Sequence, residues 1–136
     1  MGQLRLHERM LQAAGVRIDR AGAALLYMLH THGDSLRVTG LADLLGVDAP
    51  TVTRKIQQLE RDGLVARHAD AEDHRAIRIQ LTAHGRKTVE RVQKARMAWF
   101  DGLLEGWNEP DLAAFASMLG RFAAALQRDL ETARGS

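Results

Sequence analysis

Residues 39–82 read TGLADLLGVDAPTVTRKIQQLERDGLVARHADAEDHRAIRIQLT, and the fold turns on them. The stretch divides into a short helix, a tight turn, a second helix and a two-stranded hairpin with a charged tip. Thr39 is expected to cap the first helix, its hydroxyl accepting from an otherwise unpaired backbone N–H. Leu41, Leu44 and Leu45 then fall on one face at helical spacing. Gly46 ends that helix, because glycine takes the left-handed conformation without a Cβ penalty. Asp48 caps the second helix, and Pro50 sits in its first turn, where a missing N–H costs nothing. Val52, Ile56 and Leu59 supply its buried stripe, and Gly63 stops it.

Beyond Gly63 the period changes from helical to alternating. Leu64–His68 and Ala76–Leu81 are the expected strands, with Ile77, Ile79 and Leu81 on one face of the second and Arg78 and Gln80 on the other. The polar residues between them, Ala69–Arg75, have the length a wing needs. Working backwards, Leu36–Val38 adds a very short strand. Asp19 caps a helix from about Arg20 to His30, whose Leu25, Leu26, Met28 and Leu29 place it deep in the core. A shorter helix, Leu4–Ala14, carries Leu4, Met10 and Leu11 on its apolar side and ends at Gly15.

Working forwards, Thr82 caps a helix running to roughly Gly106, a span of about 30–35 Å at the helical rise per residue. Asn108 caps the last helix, with Pro110 in its first turn and a stripe of Leu112, Phe115, Leu119, Phe122, Leu126 and Leu130. A single chain offers these two helices few partners. They and the N-terminal helix are expected to pack against a second copy. The expected organisation is residues 1–18 as an N-terminal dimerisation segment, 19–88 as the binding lobe and 82–134 as C-terminal dimerisation helices. The fold class is mainly α with a small antiparallel β-hairpin.

Composition removes several classes of function. At 136 residues, 46% hydrophobic and 26% charged, this is an ordinary globular chain of one domain's length. No run of about 18 apolar residues is present, so no membrane span is expected. The first residues, MGQLRLHERM, lack a secretory core, which points to the cytoplasm. The absence of cysteine excludes a disulfide framework, a thiol switch and a cysteine-ligated zinc site. His30 and His32, like His68, His74 and His84, lack the spacing of a metal site, so neither metal nor cofactor is expected. No nucleophile–base pair, phosphate-binding glycine loop or acid–base carboxylate pair appears, and no catalytic residue is assigned. The net charge of +2 says little on its own, and the slightly more basic balance from Pro50 to Val92 permits nucleic-acid binding without requiring it.

The second helix carries the chemistry. The major groove is about 12 Å wide and admits one α-helix, whose N-terminal residues reach base edges. Counted from Asp48, the outward positions include Ala49, Thr51, Thr53, Arg54 and Lys55, with Gln57 and Gln58 beyond. Thr51 and Thr53 suit bases or phosphates, Arg54 suits guanine or a phosphate, and Lys55 and Gln58 suit the backbone. Thr39 joins them as a candidate DNA contact at the first helix. An amphipathic helix with a merely solvated polar face would look the same, so the hairpin decides.

At the hairpin tip stand Asp73-His74-Arg75, and the second strand leads into Leu81-Thr82-Ala83-His84-Gly85. An Asp-x-Arg pair, an alternating strand and Leu-Thr-x-x-Gly, in that order, resemble the MarR family of winged helix-turn-helix regulators. The segment LADLLGVDAPTVTRKIQQLERDGLV is similar to that family's two central helices. The resemblance covers residues 19–92 closely. It implies a homodimer on double-stranded DNA, with Arg75 in a minor groove and Asp73 holding it by a salt bridge. It also implies release by a small aromatic or anionic effector, in a pocket drawn from Tyr27, Met28, His30, Val89, Val92 and Met97. Trp99, Phe100 and Trp107 read better as dimer core than as pocket wall. Two other readings stay open: a DNA-organising protein without an effector, and a winged-helix module whose partner is a protein.

Overall fold

Six helices and three strands follow one another among residues 2–135, which the computed structural model describes, the side chains of residues 2–5 and 134 excepted. Their order is α1 (Gly2–Ala13), α2 (Arg20–Thr31), β1 (Ser35–Arg37), α3 (Val38–Leu45), α4 (Ala49–Arg61), β2 (Val65–Ala69), β3 (Ile77–Leu81), α5 (Ala83–Leu103) and α6 (Glu109–Arg134). The side chain of Leu4, expected on the apolar side of α1, lies outside the described part. The chain forms two compact units, Met1–Ala98 and Trp99–Ser136.

Short polar side chains start four of the helices where their caps predict. Asp19 accepts from Gly22 N at 2.7 Å, Asp48 from Thr51 N at 2.7 Å, Thr82 from Gly85 N at 3.0 Å and Asn108 from Asp111 N at 2.9 Å. Gly46 takes the left-handed conformation, φ 66°, at the end of α3, which closes the turn into α4. The helix α3 corrects one expectation. It begins at Val38, its N-cap is Arg37, no side chain caps it, and Thr39 lies exposed in its first turn. The physical reason is the strand before it. Ser35–Arg37 pairs antiparallel with β3, so the chain passes from strand to helix at Arg37.

That short strand also changes the sheet. Instead of a two-stranded hairpin, the order is β1-β3-β2 with β3 central and both pairings antiparallel. Ile79 faces Leu36 across one ladder and Arg67 across the other. Ile79 and Leu81 are buried, whereas Ile77, on the same face but at the wing end, is exposed.

The core of the Met1–Ala98 unit gathers Leu25, Leu26 and Leu29 of α2, Leu41 of α3, Val52, Ile56 and Leu59 of α4, Leu64, Val65, Ile79 and Leu81 around the sheet, and Val89 of α5. This arrangement holds α4 by its apolar stripe and leaves its opposite face in solvent. A smaller cluster of Leu11, Ala14 and Val92 joins α1 to α5. Asp34 ties three elements together from the left-handed region, φ 66°. Its carbonyl accepts from Leu81 N at 2.9 Å, and its carboxylate takes Arg86 at 2.8 Å and His30 at 3.3 Å.

In the Trp99–Ser136 unit, α5 ends at Leu103, short of the expected Gly106, which turns the chain at φ 85°. Trp107 and Phe115 meet edge to face, with ring centroids 5.4 Å apart. Further along α6, Met118, Leu119, Phe122, Leu126 and Leu130 are all exposed.

Candidate nucleic-acid interface

The solvent face of α4 follows from its buried stripe. Val52, Ile56 and Leu59 point inward, and Ala49, Pro50, Thr51, Arg54, Gln57 and Gln58 are exposed, with Thr53 half-buried. The N-terminal end is fixed by Asp48, whose carboxyl is held below its usual range by hydrogen bonds from the Thr51 side chain and then the Thr51 N–H. A rigid first turn is what an element reading base edges requires.

Five Arg and Lys side chains of this unit lie in ion pairs and its others, among the described residues, do not. Arg37 and Arg78 pair with Asp70, Lys55 with Asp19, Arg67 with Glu60, and Arg86 with Asp34. Arg54 on α4 and Arg75 at the wing tip, both exposed, form no ion pair among the described residues. Unpaired guanidinium groups at these two places are free to meet an anionic partner.

Two expected contacts have different surroundings from those foreseen. The Lys55 ammonium lies 2.6 Å from Asp19 Oδ2 and 2.9 Å from Gln58 Oε1, so it is held to the cap of α2 instead of standing free. The Asp19 carboxyl is lowered chiefly by that lysine. The expected ion pair between Asp73 and Arg75 is also replaced. Asp73 Oδ1 accepts from the backbone N of Arg75 at 3.1 Å, which shapes the turn and leaves the guanidinium outside it.

The carboxylate that does pair with arginine in the wing is Asp70, which is 3% exposed. Its Oδ2 takes Arg37 Nε at 3.0 Å and Arg78 Nη1 at 3.3 Å, and its Oδ1 accepts from Glu72 N at 2.9 Å and Asp73 N at 3.2 Å. These donors, Arg37 first, hold its carboxyl far below the usual range. Sequence reasoning passed over Asp70 because its arginine partners are 33 and 8 residues away. One local signal was present: aspartate at a strand–turn boundary accepts from N–H groups two and three residues on.

Three of the six residues expected around an effector line one crevice. Tyr27, Val89 and Val92 meet Ile18 and Leu26 at a crevice of about 10 Å³, barely the room of one water. Met28 packs against the main core, His30 is held by Asp34, and Met97 is 61% exposed. Tyr27 carries the Arg96 guanidinium over its ring, 5.6 Å from the centroid. No group of three His, Asp or Glu side chains converges as a metal site among the described residues, and no helix is long and apolar enough to cross a membrane.

A short helix, a glycine turn, a second helix seated on the core and a sheet with a projecting tip define a winged helix-turn-helix. Residues 20–77 match the model of the MarR family. It is 28% identical over 104 residues to the uncharacterized HTH-type transcriptional regulator YdgJ of Bacillus subtilis strain 168, covering 76% of this chain and 63% of that one. It is 29% identical over 96 residues to the HTH-type transcriptional repressor YetL of the same organism, covering 71% and 58%. The chain thus spans about three fifths of the length of these curated relatives. Among solved structures, a mutant of S. aureus MepR bound to an oligodeoxyribonucleotide is 25% identical, with a TM-score of 0.67 over 90% of this chain and 88% of that one.

Proposed function

We propose that this chain is a DNA-binding transcriptional regulator without enzymatic activity, acting in the cytoplasm as a homodimer on a palindromic operator. The observation that carries the reading is the exposed polar face of α4, with Arg54 on it, together with Arg75 at the exposed wing tip, neither arginine being in an ion pair among the described residues. Thr51, Thr53 and Arg54 address the major groove, and Thr39, Lys55 and Gln58 lie at its margin. The Asp73–Arg75 tip lies over the adjacent minor groove, whose narrow stretches attract inserted arginine. MepR, which shares the fold, is bound to DNA in its structure, and YetL is a repressor. Both support the reading.

Occupying promoter DNA represses transcription. A small aromatic or anionic effector relieves it by binding the state in which the two recognition helices no longer match successive turns of the duplex. Residues 1–18 and 82–134 carry the dimer contacts in this reading. A gel-shift titration against the chain's own upstream region, at two salt concentrations, tests it. Specific retention that weakens with salt is expected, indifference to sequence would indicate a DNA-organising protein, and no retention at low salt would end the DNA reading.

A further inference from the structure

Seven residues, 70–76, connect β2 to β3 and form the wing tip. Six of them are exposed or half-buried, and Asp70 alone is buried. Burying a carboxylate costs free energy unless its lone pairs are met. Here four donors meet them, divided by oxygen. Oδ2 faces the body of the protein, taking Arg37, the residue that opens α3, and Arg78 of β3. Arg78 in turn grips Ser35 of β1, through Nε to Oγ at 2.9 Å and Nη2 to the carbonyl at 2.8 Å. Oδ1 faces the tip, taking the N–H groups of Glu72 and Asp73.

From there the bonds continue outward. Asp73 accepts from Arg75 N through its side chain and from Ala76 N, at 2.9 Å, through its carbonyl. Asp70 N closes the loop on the Ala76 carbonyl at 3.0 Å. Arg75 therefore stands two hydrogen bonds from a buried carboxylate that is itself clamped to two strands and to the start of the helix-turn-helix. A lone surface ion pair fixes little, whereas a buried four-donor carboxylate fixes both groups that it joins.

We infer that Asp70 is the positioning residue of the wing, setting the place of Arg75 relative to α3 and α4 and hence the strength of its minor-groove contact. This rests on the proposed contact of Arg75 with DNA. Asp70 touches no DNA itself. Replacing it with asparagine keeps an acceptor for the tip but turns an amide toward Arg37 and Arg78, which loosens the tip from the body.

A double-mutant cycle tests it: wild type, Asp70→Asn, Arg75→Ala and the double variant, measured by fluorescence anisotropy on the duplex retained from the upstream region and on a random duplex. Thermal melting establishes that each variant is folded. Arg75→Ala is expected to weaken binding about tenfold or more and to lower the salt slope by about one. Asp70→Asn is expected to weaken it severalfold in the wild-type background and less than about twofold once Arg75 is gone, because its effect passes through that residue. Losses that multiply would overturn the inference. So would tighter, more salt-dependent binding by Asp70→Asn, which would make Asp70 only a shield for Arg37 and Arg78. A normal affinity for Arg75→Ala would instead overturn the wing's contact with DNA, and this inference with it. If Asp70→Asn does not fold, Arg37→Gln replaces it, since that side chain is 43% exposed and caps no helix by hydrogen bond. The same non-additivity is then expected, smaller in size.

Discussion

A Cβ on residue 85 would be driven into the carbonyl oxygen of Leu64, so Gly85 is what allows α5 to start against the entry to β2. That carbonyl also accepts from Thr82 N at 3.1 Å. The Thr82 hydroxyl donates to the Gly63 carbonyl at 2.7 Å and accepts from Gly85 N at 3.0 Å. The Leu-Thr-x-x-Gly signature is therefore a joint: leucine in the core, threonine stitching two chain segments, and glycine permitting their contact. It fixes where the end of α4, the start of β2 and the start of α5 meet.

Gly85→Ala is predicted to destabilise the Met1–Ala98 unit by about 3 kcal/mol, the upper end of typical overpacking, because the obstructing atom is backbone. For a unit of this size that lowers Tm by roughly 12–24 °C. Thr82→Val, which loses the cap but adds no clash, should cost about 1 kcal/mol. Thermal denaturation followed by circular dichroism measures both. A larger loss from Thr82→Val than from Gly85→Ala would contradict this account of the joint.

Acid should loosen the wing. The Asp70 carboxyl titrates lower in the folded chain than its unfolded value of about 3.9, since Arg37 and the turn N–H groups favour its charged form. Its contribution to stability is thus complete above about pH 4 and is lost progressively as pH falls below that. Hydrogen-exchange protection at residues 72–76, relative to the intrinsic rate at each pH, should fall in acid for the wild type and be low at every pH for Asp70→Asn. Equal protection of the tip in both proteins would count against the linkage.

Lys55 joins the recognition helix to the cap of α2. Its ammonium is already paired with Asp19, so Lys55→Gln removes little charge that a phosphate would otherwise meet. The pair joins the recognition helix to α2, but Asp19 is 61% exposed, so its worth is expected within about 0–1 kcal/mol. Salt titrations of DNA binding should give a slope for Lys55→Gln close to wild type. A drop of a full unit would show that Lys55 leaves Asp19 for a phosphate in the complex.

In the proposed complex, Arg54 is expected to read a base. Arg54→Ala should cost about 1–3 kcal/mol on the operator and flatten preference at one position, as expected for loss of a two-pronged contact to guanine. Binding to a set of single-substituted operator duplexes measures this. Equal weakening on operator and random DNA would assign Arg54 to a phosphate.

What could be read in the sequence was whatever local chemistry dictates. Asp19, Asp48, Thr82 and Asn108 cap because a short polar side chain reaches an N–H three residues on, and Gly46 and Gly63 turn because glycine takes a positive φ without a Cβ penalty. The stripe Val52-Ile56-Leu59 oriented α4 for the same reason. The misplaced elements depended on distant partners. Thr39 looked like a cap until β3, some 40 residues on, claimed Ser35–Arg37 as a strand. The Lys55–Asp19 pair was not foreseen because the two are 36 residues apart, and Asp70 looked like one more acidic loop residue because Arg37 is 33 away. Cations were visible in the sequence; which of them were neutralised was not.

The apolar row of α6 is the surface expected to pair two copies of the chain. Met118, Leu119, Phe122, Leu126 and Leu130 lie at helical spacing and face solvent in the single chain, Phe122 most of all at 66% exposure. Such a row is rarely left in water, and covering it with a second copy stabilises by about 1.5–3 kcal/mol for each side chain fully buried. Phe122→Asp puts a charge into the middle of that contact and is predicted to shift the protein from dimer to monomer in light scattering at micromolar concentration. Operator affinity should then fall steeply, because two linked half-sites become two independent weak ones. The melting of the Met1–Ala98 unit should change little, since Phe122 lies outside it. A Phe122→Asp protein that remains dimeric would move the subunit contact away from this face.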